Sequence, residues 1–499
     1  MRALYAIFLA SVIAGAVAIG GNSHVLAILS LGLATAGIEV FVLTMAAKGF
    51  TPASIPVIAV NGVMLSALIG WGEVSATAYV SAILPSDDEF LIEAAKIGIV
   101  FCLAYTAGAL LAGPRALRIS AVGIGRAISQ LGKSINLPMG SLTALGYAGA
   151  ALVIYAWQGA LIQGRYLEFR GPPWAVSLSS LAIPVALLAL SMVAVRQGPW
   201  RGWAVVGLSI FAAILFARAT RSIVLVPVTI LLARALVSDK RLGSFSIATS
   251  GLLTVLALQL PLVGRRNPDG VGLGPLWHAL TTRPEQFFSN FELGRLAGNV
   301  LFSGPMTAAV AQRHIPSEAF WISVSPMPGG IGGWDEIRSL LRLNFYTPFN
   351  TLGELAAQGW IVLIVGASTA GFFLAFATRV TSNMRGNFRV AAVVLTLGIV
   401  ILFSVTVLQY NLRTSARLVW YALAGVGLLR LGAAISSQRL GRTANEIPDD
   451  QNGGFLRRKA STGLRLRGHD TTDSDYADRP AQPETLRIGH VVHGTGPDI

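Results

Sequence analysis

Charge is scarce in this chain: 12% of its 499 residues are Asp, Glu, Lys or Arg, while 53% are hydrophobic. A soluble domain carries about 25% charged residues, so the shortage excludes an ordinary water-soluble globular protein. Cysteine occurs once, at Cys102, which excludes a disulfide framework and leaves a thiol that packs as a small hydrophobe. Lysine is also sparse. It supplies five of the 38 basic residues, leaving 33 arginines, and arginine is the cation that binds phosphate and carboxylate in bidentate fashion. His24, His278, His314, His469, His490 and His493 are scattered without ligand spacing. No metal and no cofactor is therefore expected. The glycine run PGGIGG precedes no strand pattern and does not read as a nucleotide-binding loop. The net charge of +14 does not point to nucleic acid, because membrane loops collect basic residues.

What is present is hydrophobic sequence in long blocks, with mean hydropathy +0.63. A helix crosses the hydrocarbon core with roughly 20 apolar residues. Twelve blocks approach that length: 3–20, 24–47, 53–72, 93–112, 139–158, 175–195, 203–217, 221–238, 245–263, 351–378, 388–409 and 415–435. The expected fold is all-α and integral to a lipid bilayer, with about 12 transmembrane helices in residues 1–435. If the N-terminus is inside, the inner short loops hold thirteen Arg or Lys residues and the outer ones six. The positive-inside rule favours that topology. It implies a multi-pass protein of the cytoplasmic membrane with both termini cytoplasmic.

Two stretches depart from the span pattern. Residues 264–350 form one long external loop carrying short helices, and loops that long are usually functional. Within it, WDEIRSLLRLNFY separates Ile337, Leu340 and Leu341 from Arg338 and Arg342, as in a helix lying among headgroups. Residues 436–499 have few large apolar residues and mixed charge, and are expected to be a disordered cytoplasmic tail.

The six outer basic residues are arginines in three pairs: Arg165 with Arg170, Arg218 with Arg221, and Arg413 with Arg417. Lone pairs of this kind can snorkel to headgroups. Three pairs on the face where the sign rule disfavours them suggest an anion. If they converge, their planar forks suit a pyrophosphate, and they would stabilise it as a leaving group while its charge develops.

Around these arginines the sequence resembles a known family. Helix seven ends in ARATRS, the long loop contains AQRHIP and SPMPGGIGG, and NFYTPFNTLGELAAQGW leads into helix ten with Asn350, Gly353, Glu354 and Gly359. The set resembles the bacterial O-antigen polymerase (Wzy) and O-antigen ligase superfamily of GT-C-like membrane glycosyltransferases, over residues 175–435. The resemblance implies transfer of an oligosaccharide from undecaprenyl pyrophosphate to an acceptor on the external face. It also implies a flippase and a chain-length regulator as partners. Ligases typically place a histidine beside the asparagine of the lead-in, where this chain reads Thr347-Pro348-Phe349-Asn350. The departure favours a polymerase over a ligase and leaves the general base to be sought elsewhere.

The candidate catalytic residues are then Arg218 and Arg221 for the leaving pyrophosphate, with Glu354 and His314 as candidate bases. Candidate substrate-binding residues are Arg413, Arg417, Arg165, Arg170, Arg313, Arg338, Arg342 and Asn350, the last equally suited to cap a helix. Two other readings remain open. A polyprenyl-phosphate-sugar transferase would use Asp87 and Asp88 as an acidic pair, although these also suit the start of helix four. A flippase for the same lipid would need no chemistry.

Overall fold

The computed structural model describes residues 24–48, 51–75, 84, 87–113, 138–165, 168–237, 243–265, 267, 269–285, 293–327, 332–343, 349–382, 384 and 386–445. Within them the chain is helical, with one isolated antiparallel bridge between Gly164 and Val271. The helices are α1 (His24–Ala47), α2 (Ser54–Ser75), α3 (Asp88–Leu111), α4 (Met139–Trp157), α5 (Pro173–Val195), α6 (Arg201–Ala217), α7 (Leu225–Val237) and α8 (Ser244–Arg265). They continue with α9 (Leu273–Thr282), α10 (Leu293–Leu301), α11 (Ser303–Ala311), α12 (Ser317–Val324) and α13 (Trp334–Ile337). The last four are α14 (Thr351–Ala357), α15 (Trp360–Ser382), α16 (Gly386–Gln409) and α17 (Leu412–Asn445).

The solvent these helices are built for can be read from α1. Its buried positions include Ser30, Gly32, Ala34, Gly37 and Glu39, whereas Leu26, Leu31, Ile38, Phe41 and Met45 are at least 40% exposed. In water that arrangement would be inside out. In a bilayer, lipid covers the large apolar side chains while small residues let helices approach. Nine helices among the described residues are long and apolar enough to cross a membrane: α1 to α5, α8, and α15 to α17. The chain is an all-α, multi-pass membrane protein.

Eleven of the twelve expected spans fall within described helices, and the block 3–20 lies outside the described residues. Three differ from expectation. The block 351–378 is two helices, α14 and α15, parted at Gly359, whose φ of 98° is open to glycine and strained for other residues. The blocks 203–217 and 221–238 become α6, of 17 residues, and a 3-10 turn (Arg221–Val224) followed by α7, of 13. At about 1.5 Å per residue, neither helix alone reaches across a hydrocarbon core about 30 Å thick.

The described residues of the segment 264–350 carry short helices, α9 to α13, as expected. One of them, α11, is buried along nearly its whole length against α2, α3 and α14. Its sequence SGPMTAAVA is too short and too small-sided to resemble a span, yet small residues allow this close packing. The expected headgroup helix is reduced to the single turn of α13, followed by a turn through Leu341. The expected tail begins at 436, but residues 436–445 continue α17; from 446 onward it lies outside the described residues.

Helices α4 to α8 share one apolar core, and α1 to α3, α11 and α14 to α17 share another. A third cluster centred on Trp71, Phe302 and Met306 joins α2 and α3 to α11, α12 and α13. The tightest crossing is α3 on α15. A Cβ on Gly108 would stand 1.9 Å from the Ser368 carbonyl oxygen, and one on Gly371 would stand 2.1 Å from that of Tyr105. Ser368 Oγ donates to the Ala104 carbonyl at 3.0 Å across the same contact. Deeper among the spans, Asn61 donates to Glu39 at 3.3 Å, a buried polar pair that the span-by-span reading of the sequence missed.

Candidate functional site

Of the three arginine pairs expected to converge on an anion, the members make separate contacts with the protein. Arg218 is 2% exposed. Its Nη1 donates to the Ala160 carbonyl at 2.7 Å, and its Nη2 to those of Glu168 and Arg165 at 2.6 and 3.2 Å. Its guanidinium lies over the Trp157 ring, 5.6 Å from the centroid. A buried cation satisfied by carbonyl dipoles and an aromatic face is a structural tie. The placing of Arg218 on a leaving pyrophosphate is corrected accordingly: the group is enclosed by the turn it holds.

That turn is a small plate. Gly164 and Val271 exchange two backbone bonds of 2.9 and 3.0 Å, and Gly272 N–H donates to the Ala217 carbonyl at 2.8 Å. The exposed Arg170 pairs with Glu168 at 3.0 Å. The Arg165 N–H and the Arg170 guanidinium hold the Glu168 carboxyl below the usual carboxylate range. Arg165 is exposed beside them. Next to the plate Ala219 adopts φ 49°, and Arg265 Nε donates to its carbonyl at 3.1 Å.

Arg221 is only half-buried and leaves the plate altogether. Its Nη1 donates to Gln409 Oε1 at 3.0 Å, and Gln409 Nε2 donates to the Asn299 carbonyl at 3.1 Å. Arg221 thus links the α4–α8 core to the end of α16. Gln409 was not among the sequence candidates; its only signal was an amide closing an apolar helix.

Four residues further on lies the second group. Arg413 is 3% exposed. It donates to the Ile322 carbonyl at 2.7 Å and to the Met327 carbonyl, while Arg417 Nη2 donates to that same Met327 carbonyl at 2.9 Å. Cations and rings alternate beside them. The Arg342 guanidinium lies 4.5 Å over Phe349, Phe349 stands 6.2 Å from Trp334, and Arg413 lies 5.1 Å over Trp334. Arg313 donates to the Arg342 carbonyl. His314, the next residue, is exposed in the turn between α11 and α12, and Arg338 is exposed after α13.

Beneath this group sits a buried polar hub. Asn350 caps α14, its Oδ1 accepting from Gly353 N–H at 2.7 Å and from Thr307 at 3.1 Å. Its Nδ2 donates to the Leu408 carbonyl at 2.9 Å. The Thr351 hydroxyl donates to the Tyr410 carbonyl at 2.8 Å and lies 2.9 Å from Ser415 Oγ. Glu354, 2% exposed, accepts the Leu412 N–H at 3.0 Å, as a carboxyl should at the start of α17. Burial raises its pKa to about 8, against the opposing Leu412 bond. A general base has to reach its proton directly or through one water. The enclosure of Glu354 does not fit its assignment as that base; its carboxyl ties α14 to the start of α17. Asn350 is likewise 0% exposed and acts within the hub.

The fold defines a polytopic α-helical membrane protein, with buried and half-buried guanidiniums held largely by its own carbonyls. Comparison of the chain with protein-family models, with curated proteins and with solved structures gives no match.

Proposed function

We propose that the chain is a membrane glycosyltransferase that polymerises undecaprenyl-pyrophosphate-linked oligosaccharide repeat units at the external face of the cytoplasmic membrane. The observation that supports this reading is the setting of Arg221 and Arg417. Both are half-buried and each uses one guanidinium nitrogen on the protein: Arg221 reaches Gln409 at the end of α16, and Arg417, near the start of α17, reaches the Met327 carbonyl. Fixed cations with donors to spare can meet a pyrophosphate without reorganising.

In the proposed reaction the bond from the anomeric carbon to the pyrophosphate oxygen breaks, and a bond to the acceptor hydroxyl oxygen forms. Arg221 and Arg417 take the charge that grows on the leaving pyrophosphate. The acceptor's proton passes to His314, the exposed candidate base. Arg313, Arg338 and Arg342 line the approach of the incoming unit. Arg218, Arg413, Asn350 and Glu354 position these groups from below. The sugars need no further cofactor for this exchange, and a flippase that delivers the units and a chain-length regulator are the proposed partners.

The test is reconstitution. Purified protein in lipid nanodiscs, given undecaprenyl-pyrophosphate-linked oligosaccharide, is expected to release undecaprenyl pyrophosphate and build a ladder of products. A single transfer to a different acceptor would identify a ligase, and use of a monophosphate donor a polyprenyl-phosphate-sugar transferase. Movement of the lipid across vesicles without chemistry would identify a flippase.

A further inference from the structure

At the end of α6 and α7 away from Arg218 and Arg221, the two helices stand apart over the last turn of α5. The gap is a groove of about 410 Å³, within the range of small-ligand sites. On α6 it is lined by Arg201, Val205, Leu208, Ser209 and Ala212, and on α7 by Val226, Ile230 and Arg234, with Ala194 and Val195 as its floor. These positions recur every three or four residues, so each helix offers one continuous face. Because the helices run antiparallel through the tight turn at 218–220, both arginines stand at the same end, and the walls beyond them are apolar. From Arg201 to Ala212 the groove follows about 16 Å of helix.

Trp200 and Trp203, next in sequence to Arg201, are 44% and 61% exposed, as tryptophans are at a membrane interface. Ser209 Oγ turns back to the Val205 carbonyl at 3.1 Å, leaving the wall greasy. Arg201 and Arg234 are exposed and make no hydrogen bond or ion pair among the described residues. Two cations at the mouth of an apolar slot match an amphiphile with an anionic head.

We infer that this groove holds one anionic phospholipid, its phosphate between Arg201 and Arg234 and an acyl chain along the α6–α7 groove. The occupant is taken from the bilayer in which the groove opens. The site is separate from the arginines of the proposed transfer reaction and does not depend on that reading.

The experiment uses the full chain in nanodiscs of phosphatidylcholine containing a minority of phosphatidylglycerol, with retained lipid counted by native mass spectrometry. Wild type is expected to keep one phosphatidylglycerol in preference to phosphatidylcholine. Each of Arg201→Gln and Arg234→Gln should weaken that retention about fivefold. Val205→Trp, which fills the slot and spares both cations, should also lose the lipid, whereas Arg389→Ala on α16 should not. The idea is overturned if both lipids are retained equally, or if the two Gln variants bind as wild type does. It is also overturned if inorganic phosphate displaces the lipid, which would mark a site for free anions, or if added polyprenyl phosphate replaces it.

Discussion

Arg221 donates to Gln409 across 3.0 Å, and Gln409 passes the contact on to the Asn299 carbonyl at 3.1 Å. A side chain from the start of the 3-10 turn before α7 is thereby fixed against the end of α16, between two separately packed helical cores. Removing the amide should loosen the cation without unfolding either core. Gln409→Ala is expected to lower the melting temperature by only about three degrees, since a hydrogen bond from a charged group contributes about 1.5–3 kcal/mol in a chain of this size. Transfer activity should fall several-fold. A Gln409→Glu variant, which turns the contact into an ion pair, should bind the anionic substrate more weakly still.

Arg218 and Arg221 should behave as opposites despite their identical chemistry and spacing. Arg218→Ala leaves three carbonyls without their donor inside the protein and is expected to cost about 3 kcal/mol or more. Arg218→Lys should recover little, because an ammonium lacks the planar fork and the stack on Trp157. Thermal unfolding in detergent measures both. An Arg218→Ala protein that melts like wild type would refute the structural role given to this residue.

Glu354 predicts a pH dependence with a definite sign. Its folded pKa lies near 8, above the ordinary carboxyl value of 4.5. The folded state therefore holds a proton that the unfolded state has released between those values. Stability from this group is complete below pH about 4.5, falls as pH rises towards 8, and is level above. Glu354→Gln should flatten that part of the melting-temperature profile and keep transfer activity. Loss of activity with a wild-type fold would restore Glu354 as a candidate base.

The crossing of α3 and α15 should tolerate no added atoms. Gly108→Ala and Gly371→Ala each drive a methyl into a backbone carbonyl, and each is expected to destabilise by about 1–3 kcal/mol. Fluorescence-detected size-exclusion chromatography after graded heating would read this directly. Gly62→Ala, at an α2 position with open space around its Cβ, serves as the control.

Helix placement was largely legible in the sequence because bilayer length imposes long apolar blocks, and nothing local competes with that signal. The break at Gly359 was hidden by apolar residues on both sides, although the glycine itself marks it. The burial of α11 was less visible: Gly304, Pro305 and small side chains read as loop chemistry, while in the bundle they permit close contact. The arginine pairs were legible as pairs, but not their division of labour. Arg218 and Arg221 are the same residue type three positions apart. Only the fold decides that one reaches the carbonyls of Ala160, Arg165 and Glu168 and the other Gln409. Gln409 and the Glu39–Asn61 pair were missed because a lone polar residue in an apolar helix names no partner until the helices pack.

In the proposed reaction Arg221, not Arg218, meets the lipid pyrophosphate. This contact is tested most directly by extracting lipid-linked saccharides and polymer from cells that depend on this chain, with Arg221→Ala in place of the wild type and membrane levels of the protein matched. Polymer is expected to fall about 100-fold, the scale for losing one preorganised donor, while undecaprenyl-linked single units accumulate on the external face. Normal polymer length and normal lipid-linked pools in that variant would contradict the account.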